Sequence, residues 1–328
     1  MNQPKRILVI RLSAIGDIVL TTPILRWLKM KYPKSEIEYL TKPEHQPLLR
    51  HNPHISRIHQ LGSFNSNLEL PFDLVIDLQN NHLSRSHTPR VVREVYRYQK
   101  ENWKKFLLVW VKWNFYREIL PVPERYKKSV EVLQLPDDGR GCEIVLTSDE
   151  IKTAQEMISS TTNQKILAVC YGAKHFTKRY PPEKYAAFLS QFNPIDWKVI
   201  LLGSETDSIN GKLIREGVIS NGFPAESLID FSGKLSLRET AALLSLSHHV
   251  LTGDTGLMHI ATAFQKDCTV IFGSSVKEFG FLPYRSPFNL IENPSLTCRP
   301  CSHIGRASCP KGHFKCMNDL ELDFKLIN

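Results

Sequence analysis

Residues 5–11 (KRILVIR) make a short run rich in Ile and Val, followed by a turn at Ser13 to Gly16 and by a periodic apolar stretch over residues 18–32. That succession reads as strand, loop, helix. Residues 36–41 and 73–78 (DLVIDL) repeat the buried-strand pattern, with Pro-containing connections and helical segments between them, so the alternation predicts a parallel, doubly wound sheet. Beyond a polar stretch at residues 147–163 the pattern begins again. Residues 166–170, 199–202, 249–251 and 268–272 are short strand candidates separated by helical segments. A chain of 328 residues exceeds one ordinary core, at a prior of ~150 residues per domain, and two α/β halves accommodate it. The expected architecture is α/β with two Rossmann-like domains, residues 1–160 and 161–328.

Hydrophobic residues make up 42% of the chain and charged residues 23%, a globular balance that sets disordered and fibrous classes aside. No stretch approaches the ~20 uninterrupted apolar residues that span a bilayer, and residues 1–5 run directly into the first strand without a signal segment. A cytosolic protein is expected on that reading, and its seven cysteines then read as free thiols or metal ligands before disulfides. The formal charge of +9 is concentrated: Arg85 to Lys128 holds twelve Lys or Arg against four Asp or Glu. Such a block favours an anionic partner, whether nucleic acid, an acidic lipid surface or a charged saccharide.

Three loops leave predicted strands at the sheet edge where open α/β folds bind ligands. In Arg11-Leu12-Ser13-Ala14-Ile15-Gly16-Asp17, the bland reading of Asp17 is a carboxylate stabilised at a helix start; the functional reading is a general base facing an interdomain cleft. In Gly253-Asp254-Thr255-Gly256-Leu257-Met258-His259, small residues opening a helix let phosphate approach backbone amides, although a tight turn with a cap has the same form. After residues 166–170 come Lys174, Lys178 and Arg179, either solvated loop charges or a diphosphate clamp with Lys178 on the leaving group.

The segments RLSAIGDIVLTTP, GAK…TKRYPPEKY, LLGSE and above all GDTGLMHIATAF resemble the ADP-heptose:lipopolysaccharide heptosyltransferases, glycosyltransferase family nine, in order across nearly the whole chain. The resemblance implies a GT-B fold of two Rossmann-like domains, acceptor bound by the first and nucleotide sugar by the second, and inverting transfer without a catalytic metal. It places Asp17 on the general base and Lys178 on the lysine that meets donor phosphate and sugar. Asp254 falls on the sugar-binding aspartate, Thr255 and Gly256 on the phosphate-receiving helix start, and Glu205 beside the nucleoside ribose. His259 completes the motif. Ala173, Lys174 and Tyr180 depart from the common pattern, which leaves the donor sugar open. The implied partners are ADP-heptose and an anionic lipopolysaccharide core, met by the basic segment 85–128, at the cytoplasmic face of the inner membrane.

Two features stand apart from that resemblance. Cys298, Cys301, Cys309 and Cys316 gather near the C-terminus with His303 and His313 between them, and four thiolates suit a structural zinc, while reduced packed or surface thiols are the alternative. Trp103, Phe106, Leu107, Trp110 and Asn114 share helical spacing, with Lys104, Lys105 and Lys112 largely on other faces. The stripe reads either as packed on the first domain or as a basic aromatic surface resting on an anionic membrane. A dinucleotide oxidoreductase is disfavoured because only Gly16 stands where G-x-G-x-x-G belongs, and no P-loop or nucleic-acid motif accompanies the basic block. A transferase using another nucleotide sugar, or a silent binder of anionic ligands, remains open at this level.

Overall fold

The computed structural model describes residues 3–65, 71–158 and 164–323. The chain divides into two compact units, one of Met1–Glu101 with Leu120–Val145, the other of Asn102–Ile119 with Leu146–Asn328. The boundary expected between residues 160 and 161 lies outside the described residues. Residues 102–119, read from sequence with the first half, pack within the second unit.

The first unit is a five-stranded parallel sheet ordered β3-β2-β1-β4-β5, with β1 Arg6–Ile10, β2 Glu36–Thr41, β3 Arg57–Gln60, β4 Phe72–Asp77 and β5 Val92–Arg97. In register, Ile7 lies beside Ile37 on one side and Leu74 on the other, so the apolar run of β1 is covered along its length. Ile7, Leu8, Val9 and Ile10 are fully buried, as central strands of a sheet covered on both faces require. The outer strands β3 (RIHQ) and β5 (VREVYR) are polar and half exposed, and their sequences carry no buried-strand signal.

The helix expected over residues 18–32 is two helices, α1 Ile15–Val19 and α2 Thr22–Lys31. Pro23 lacks an amide hydrogen and is tolerated only in a first helical turn, so a new helix begins there. The Thr21 and Thr22 hydroxyls donate to the carbonyls of Ile18 and Val19 at 2.7 and 2.8 Å, satisfying the end of α1. Two further helices follow in this unit or its insert, α3 His82–Ser86 and α4 Asn102–Phe106, and then α5 Val122–Ser129. The return segment is clamped to α2 by buried Arg26, which donates to Asp138 at 2.6 Å and Glu143 at 2.9 Å.

The second unit carries six parallel strands ordered β11-β10-β9-β6-β7-β8: β6 Lys165–Cys170, β7 Trp197–Leu202, β8 Leu228–Asp230, β9 His249–Gly253, β10 Asp267–Phe272 and β11 Phe288–Glu292. Its helices are α6 Ser148–Ile158, α7 Pro182–Leu189, α8 Ser208–Ser220, α9 Leu237–Leu246, α10 Gly256–Ala263 and α11 Lys315–Asn318. One core joins β6, β7 and β9 to α7, α8 and the C-terminal residues Phe314, Met317 and Leu320.

Both orders reverse direction once. In the first unit the chain winds outward from β1 and returns beside it at β4; in the second it winds outward from β6 and returns at β9. Those two switch points leave crevices at the carboxyl ends of the strands, where connections diverge and backbone groups are free for ligands.

Candidate active site

At the first crevice, the loop leaving β1 is fastened from β4. Asp77, fully buried, accepts from the Ser84 hydroxyl at 2.8 Å and from the Asn80 amide at 2.7 Å, and Gln79 accepts from the Leu12 and Ser13 amides at 3.0 and 3.3 Å. This framework holds Asp17 in the first turn of α1. Its carboxylate takes a 2.7 Å ion pair from Arg11 and stands 3.4 Å from the Tyr126 hydroxyl, while its side chain keeps 21% exposure. Arg11 is itself anchored to the carbonyls of Leu78 (2.7 Å) and Ser13 (2.8 Å). Burial works against its charge, but Asp17 together with Tyr126 and Tyr39 raises its pKa above the ordinary value. Asp17 is thus oriented by a fixed cation and remains reachable, which a base for an incoming hydroxyl needs.

Three neighbours escaped the sequence reading. Arg11 stood inside the quoted motif without a role. His45, on the short helical segment Pro43–Leu49, is buried with Nδ1 unpartnered, and that burial, offset by Glu44, holds its pKa low. Lys100 follows β5, and half-burial, with Arg11 nearby, lowers its pKa despite Asp77 and Asp17. Their sequence signals are single polar residues after outer or irregular segments, and only the topology brings them to Asp17.

At the second crevice, Lys178 ends the turn Phe176–Lys178 after β6, and Asp254 follows β9. Their side chains meet at 2.6 Å, and Lys178 also reaches the Asp254 carbonyl at 3.4 Å. Burial pushes the Asp254 carboxyl up, yet Lys178 outweighs it and holds the group below the usual carboxylate range. Thr255, extended at φ −136°, ends the strand direction, and α10 begins at Gly256 without any side-chain cap on its first amides. Uncapped amides at a helix start bind anions, because their hydrogens and the helix dipole point the same way. Glu205 is exposed at the end of β7, and His259 is buried on α10 with its ring 6.2 Å from Phe281.

The three loop cations separate in role. Lys174 is exposed, Lys178 pairs with Asp254, and Arg179 turns back to donate to the Ala173 carbonyl at 2.7 Å, stiffening the loop. Thr177 anchors it from the other side: its hydroxyl accepts from Ser274 at 3.1 Å and from the Arg306 amide at 2.9 Å. Gly305, at φ +111°, lies so close that an added Cβ would fall 2.5 Å from that of His175, so the C-terminal segment can lie against this loop only with glycine there.

That C-terminal segment does not support the zinc expectation. Cys298, Cys301, Cys309 and Cys316 line one cavity of about 340 Å³ with His313, and Cys298 Sγ lies 3.9 Å from His313 Nε2. Even so, among the described residues no group of three or more His, Cys, Asp or Glu converges to hold a metal ion. Burial pushes the Cys316 thiol up to about 12 and raises Cys301 as well. Arg299 secures the segment without metal, donating to the carbonyls of Gly273, Asn293, Phe272 and Ser275 and to Glu292. Cys142, Cys170 and Cys268 are buried elsewhere and form no disulfide.

The aromatic stripe also departs from a packed amphipathic helix. Only Asn102–Phe106 is α-helical; residues Leu107–Val111 form a wider π turn that stops at Lys112, φ 64°. Leu108 and Val109 face inward onto Phe279, while Trp103, Phe106 and Trp110 point to solvent.

Comparison with known proteins accords with this arrangement. A family model described as glycosyltransferase family 9 (heptosyltransferase) matches residues 64–310. The chain is 26% identical over 290 residues to lipooligosaccharide heptosyltransferase 2 of Haemophilus ducreyi, covering 80% of each chain, and 21% identical over 304 residues to lipopolysaccharide heptosyltransferase 2 of Escherichia coli, covering 84% of each. Among solved structures, a family 9 glycosyl transferase from Veillonella parvula superposes with TM-score 0.71 at 21% identity, over 88% of this chain and 86% of that one. ADP-heptose lps heptosyltransferase II of E. coli superposes with TM-score 0.69 at 18% identity, over 96% and 98%. The two Rossmann-like sheets are therefore those of the GT-B heptosyltransferases, and the chain belongs to glycosyltransferase family 9, the heptosyltransferases.

Proposed function

We propose that this protein transfers heptose from ADP-heptose to the inner core of lipopolysaccharide with inversion at the anomeric carbon. The observation that carries the reading is the Lys178–Asp254 pair at 2.6 Å beside the uncapped start of α10. A nucleoside diphosphate leaving group needs its growing charge met, and a lysine with fixed backbone amides supplies that charge stabilisation. Lys178, Thr255 and Gly256 are assigned to the diphosphate, Asp254 to sugar hydroxyls and to the orientation of Lys178, and Glu205 to the ribose. His259 supports α10 from within.

Asp17 is assigned the acceptor's proton. As the acceptor oxygen attacks the anomeric carbon, its hydrogen passes to the carboxylate, the new glycosidic bond forms, and the bond to phosphate breaks with its electron pair leaving on ADP. Arg11 orients Asp17, and Lys100 with Arg97 at the carboxyl end of β5 gives the acceptor's phosphates and carboxylates an anion-binding edge in the first unit. The donor half fits residues 161–328 and the acceptor half residues 1–160, less the insert at 102–119. Such a reaction belongs on the cytoplasmic side, where the nucleotide sugar is made, and among the described residues no helix is long and apolar enough to cross a membrane.

The testing experiment is a turnover screen of nucleotide sugars with deacylated inner-core acceptor. Release of ADP and a heptosylated product from ADP-heptose is expected, and it should persist in EDTA because Lys178 and the helix amides carry the leaving-group charge. Turnover only with another nucleotide sugar would replace the donor assignment; ligand binding without turnover would replace the enzyme by a binder.

A further inference from the structure

Trp103, Phe106, Trp110, Trp113 and Phe115 are 56, 57, 65, 61 and 47% exposed. Only two other Phe or Trp side chains among the described residues, Phe176 and Phe288, are exposed to a comparable degree. Water-facing aromatics concentrated in thirteen successive positions are unlike the scatter of single apolar residues on an ordinary surface.

The surrounding backbone keeps them outward. Leu108 and Val109 are buried against Phe279, the Lys112 ammonium donates to the carbonyls of Val109, Cys298 and Pro300 at 2.9, 3.1 and 2.6 Å, and Asn114 donates to Glu278 at 3.2 Å. All of these contacts lie within the second unit, so Leu108, Val109, Lys112 and Asn114 tie the insert down, while Trp110 is edged by Arg306 at 5.7 Å and keeps most of its ring in water. The aromatic rings meet one another only in tilted or edge contacts, Trp103 with Phe115 at 5.8 Å and Trp113 with Phe115 at 6.4 Å, and so form a ridge rather than a closed cluster.

Charge selects the occupant. Lys104 lies over the rings of Trp103 and Tyr116 at 5.7 and 5.5 Å, Lys105 is adjacent, Arg117 is exposed, and Glu118 is the only acid between residues 102 and 119. Tryptophan, with an apolar ring and one N–H, settles at the boundary between headgroups and acyl chains, and cations beside it meet lipid phosphates. We propose that residues 103–117 form an interfacial anchor that seats the protein on an anionic phospholipid bilayer. It rests on the reading of a lipid-borne acceptor for its use, since a resting surface beside the lipid concentrates the enzyme where its acceptor lies.

The test is flotation of the full-length chain with vesicles of phosphatidylethanolamine and phosphatidylglycerol, and with vesicles of phosphatidylcholine, neither containing saccharide or donor. The chain should float with the anionic vesicles, with tryptophan emission quenched by brominated lipid, and more weakly with the neutral ones. Trp110→Ser/Trp113→Ser/Phe115→Ser should lower the partition about 10-fold or more, and Lys104→Gln/Lys105→Gln should remove the preference for anionic lipid while leaving quenching of the bound fraction. Both variants should turn over deacylated acceptor at a rate within about twofold of the parent, as outward side chains distant in role from transfer allow. Absence of flotation by the parent chain, equal flotation by the aromatic variant, or an aromatic-dependent dimer that ignores vesicles would overturn the anchor. Vesicle binding needs no turnover, so loss of the transferase reading would leave this measurement standing, and the reverse holds too.

Discussion

Two carboxylates in similar sequence settings, Asp17 and Asp254, each follow a buried strand and each meet one cation, yet their surroundings set different tasks. Asp17 keeps a reachable oxygen beside Arg11, whereas Asp254 is committed to Lys178 two residues before the start of α10. Asp17→Asn is therefore expected to lower kcat by ~10²–10⁴, the usual cost of losing a general base, with ADP affinity unchanged by calorimetry. A kcat near that of the parent would take Asp17 out of the reaction. Lys178→Gln should lower kcat by roughly 10²–10³, because a charge aimed at the leaving group works mainly in the transition state, and raise donor KM. Acceptor KM should not move; a change there alone would place Lys178 with the wrong substrate.

At the scale of elements, two buried arginines tie together parts of the chain far apart in sequence. Arg26 on α2 gathers Asp138, Glu143 and the carbonyls of Arg140 and Gly141, fixing the return of the chain through the first unit. Replacing it by Met leaves Asp138 to Arg140 and Trp27 and Glu143 to His54 and Asn52, and strips the carbonyls of Arg140 and Gly141 of their donor, a loss of about 1–3 kcal/mol that should lower Tm. Arg238 on α9 pairs with Glu150 at the start of α6, and this bond, with the Thr147 amide, holds the Glu150 carboxyl down at about 2 against an ordinary 4.5. A carboxyl depressed in the folded state stabilises fully above its ordinary value and loses that contribution as pH falls toward the folded value. Stability of the parent should thus fall between pH 4.5 and about 2 more steeply than that of Glu150→Gln, when thermal unfolding is followed at each pH. Parallel curves would show that the pair does not govern acid unfolding.

For the molecule as a whole, the excess charge is divided between the units. Residues 85–101 and 120–128 belong to the first unit, while Lys104, Lys105, Lys112 and Arg117 belong to the second, with Lys112 already committed to backbone carbonyls. On the reading above, the first group meets the acceptor's anionic groups, so raising salt should increase acceptor KM more than donor KM, as exposed charges are screened over ~8 Å at physiological ionic strength. Arg97→Gln/Lys100→Gln should mimic high salt on acceptors with core phosphate and have little effect on acceptors without it. An unchanged acceptor KM beside a raised donor KM would move these cations to the other substrate.

The sequence by itself determined the central strands β1, β2, β4, β6, β7, β9 and β10, because a parallel strand buried on both faces must be a continuous apolar run, and it determined the loops at their carboxyl ends, because ligand-binding turns need small residues there. The places of Asp17, Lys178 and Asp254 on those loops were legible for that reason. Outer strands β3, β5, β8 and β11 were not, since a half-exposed edge can be written in the same polar alphabet as a loop. Only the tertiary structure decided that Lys178 bonds Asp254 across 76 positions of sequence and that Arg11 and Tyr126 converge on Asp17. It also turned the aromatic stripe outward: helical spacing fixes which side chains share a face, but the partner of that face is chosen by packing, and Phe279 takes Leu108 and Val109 instead.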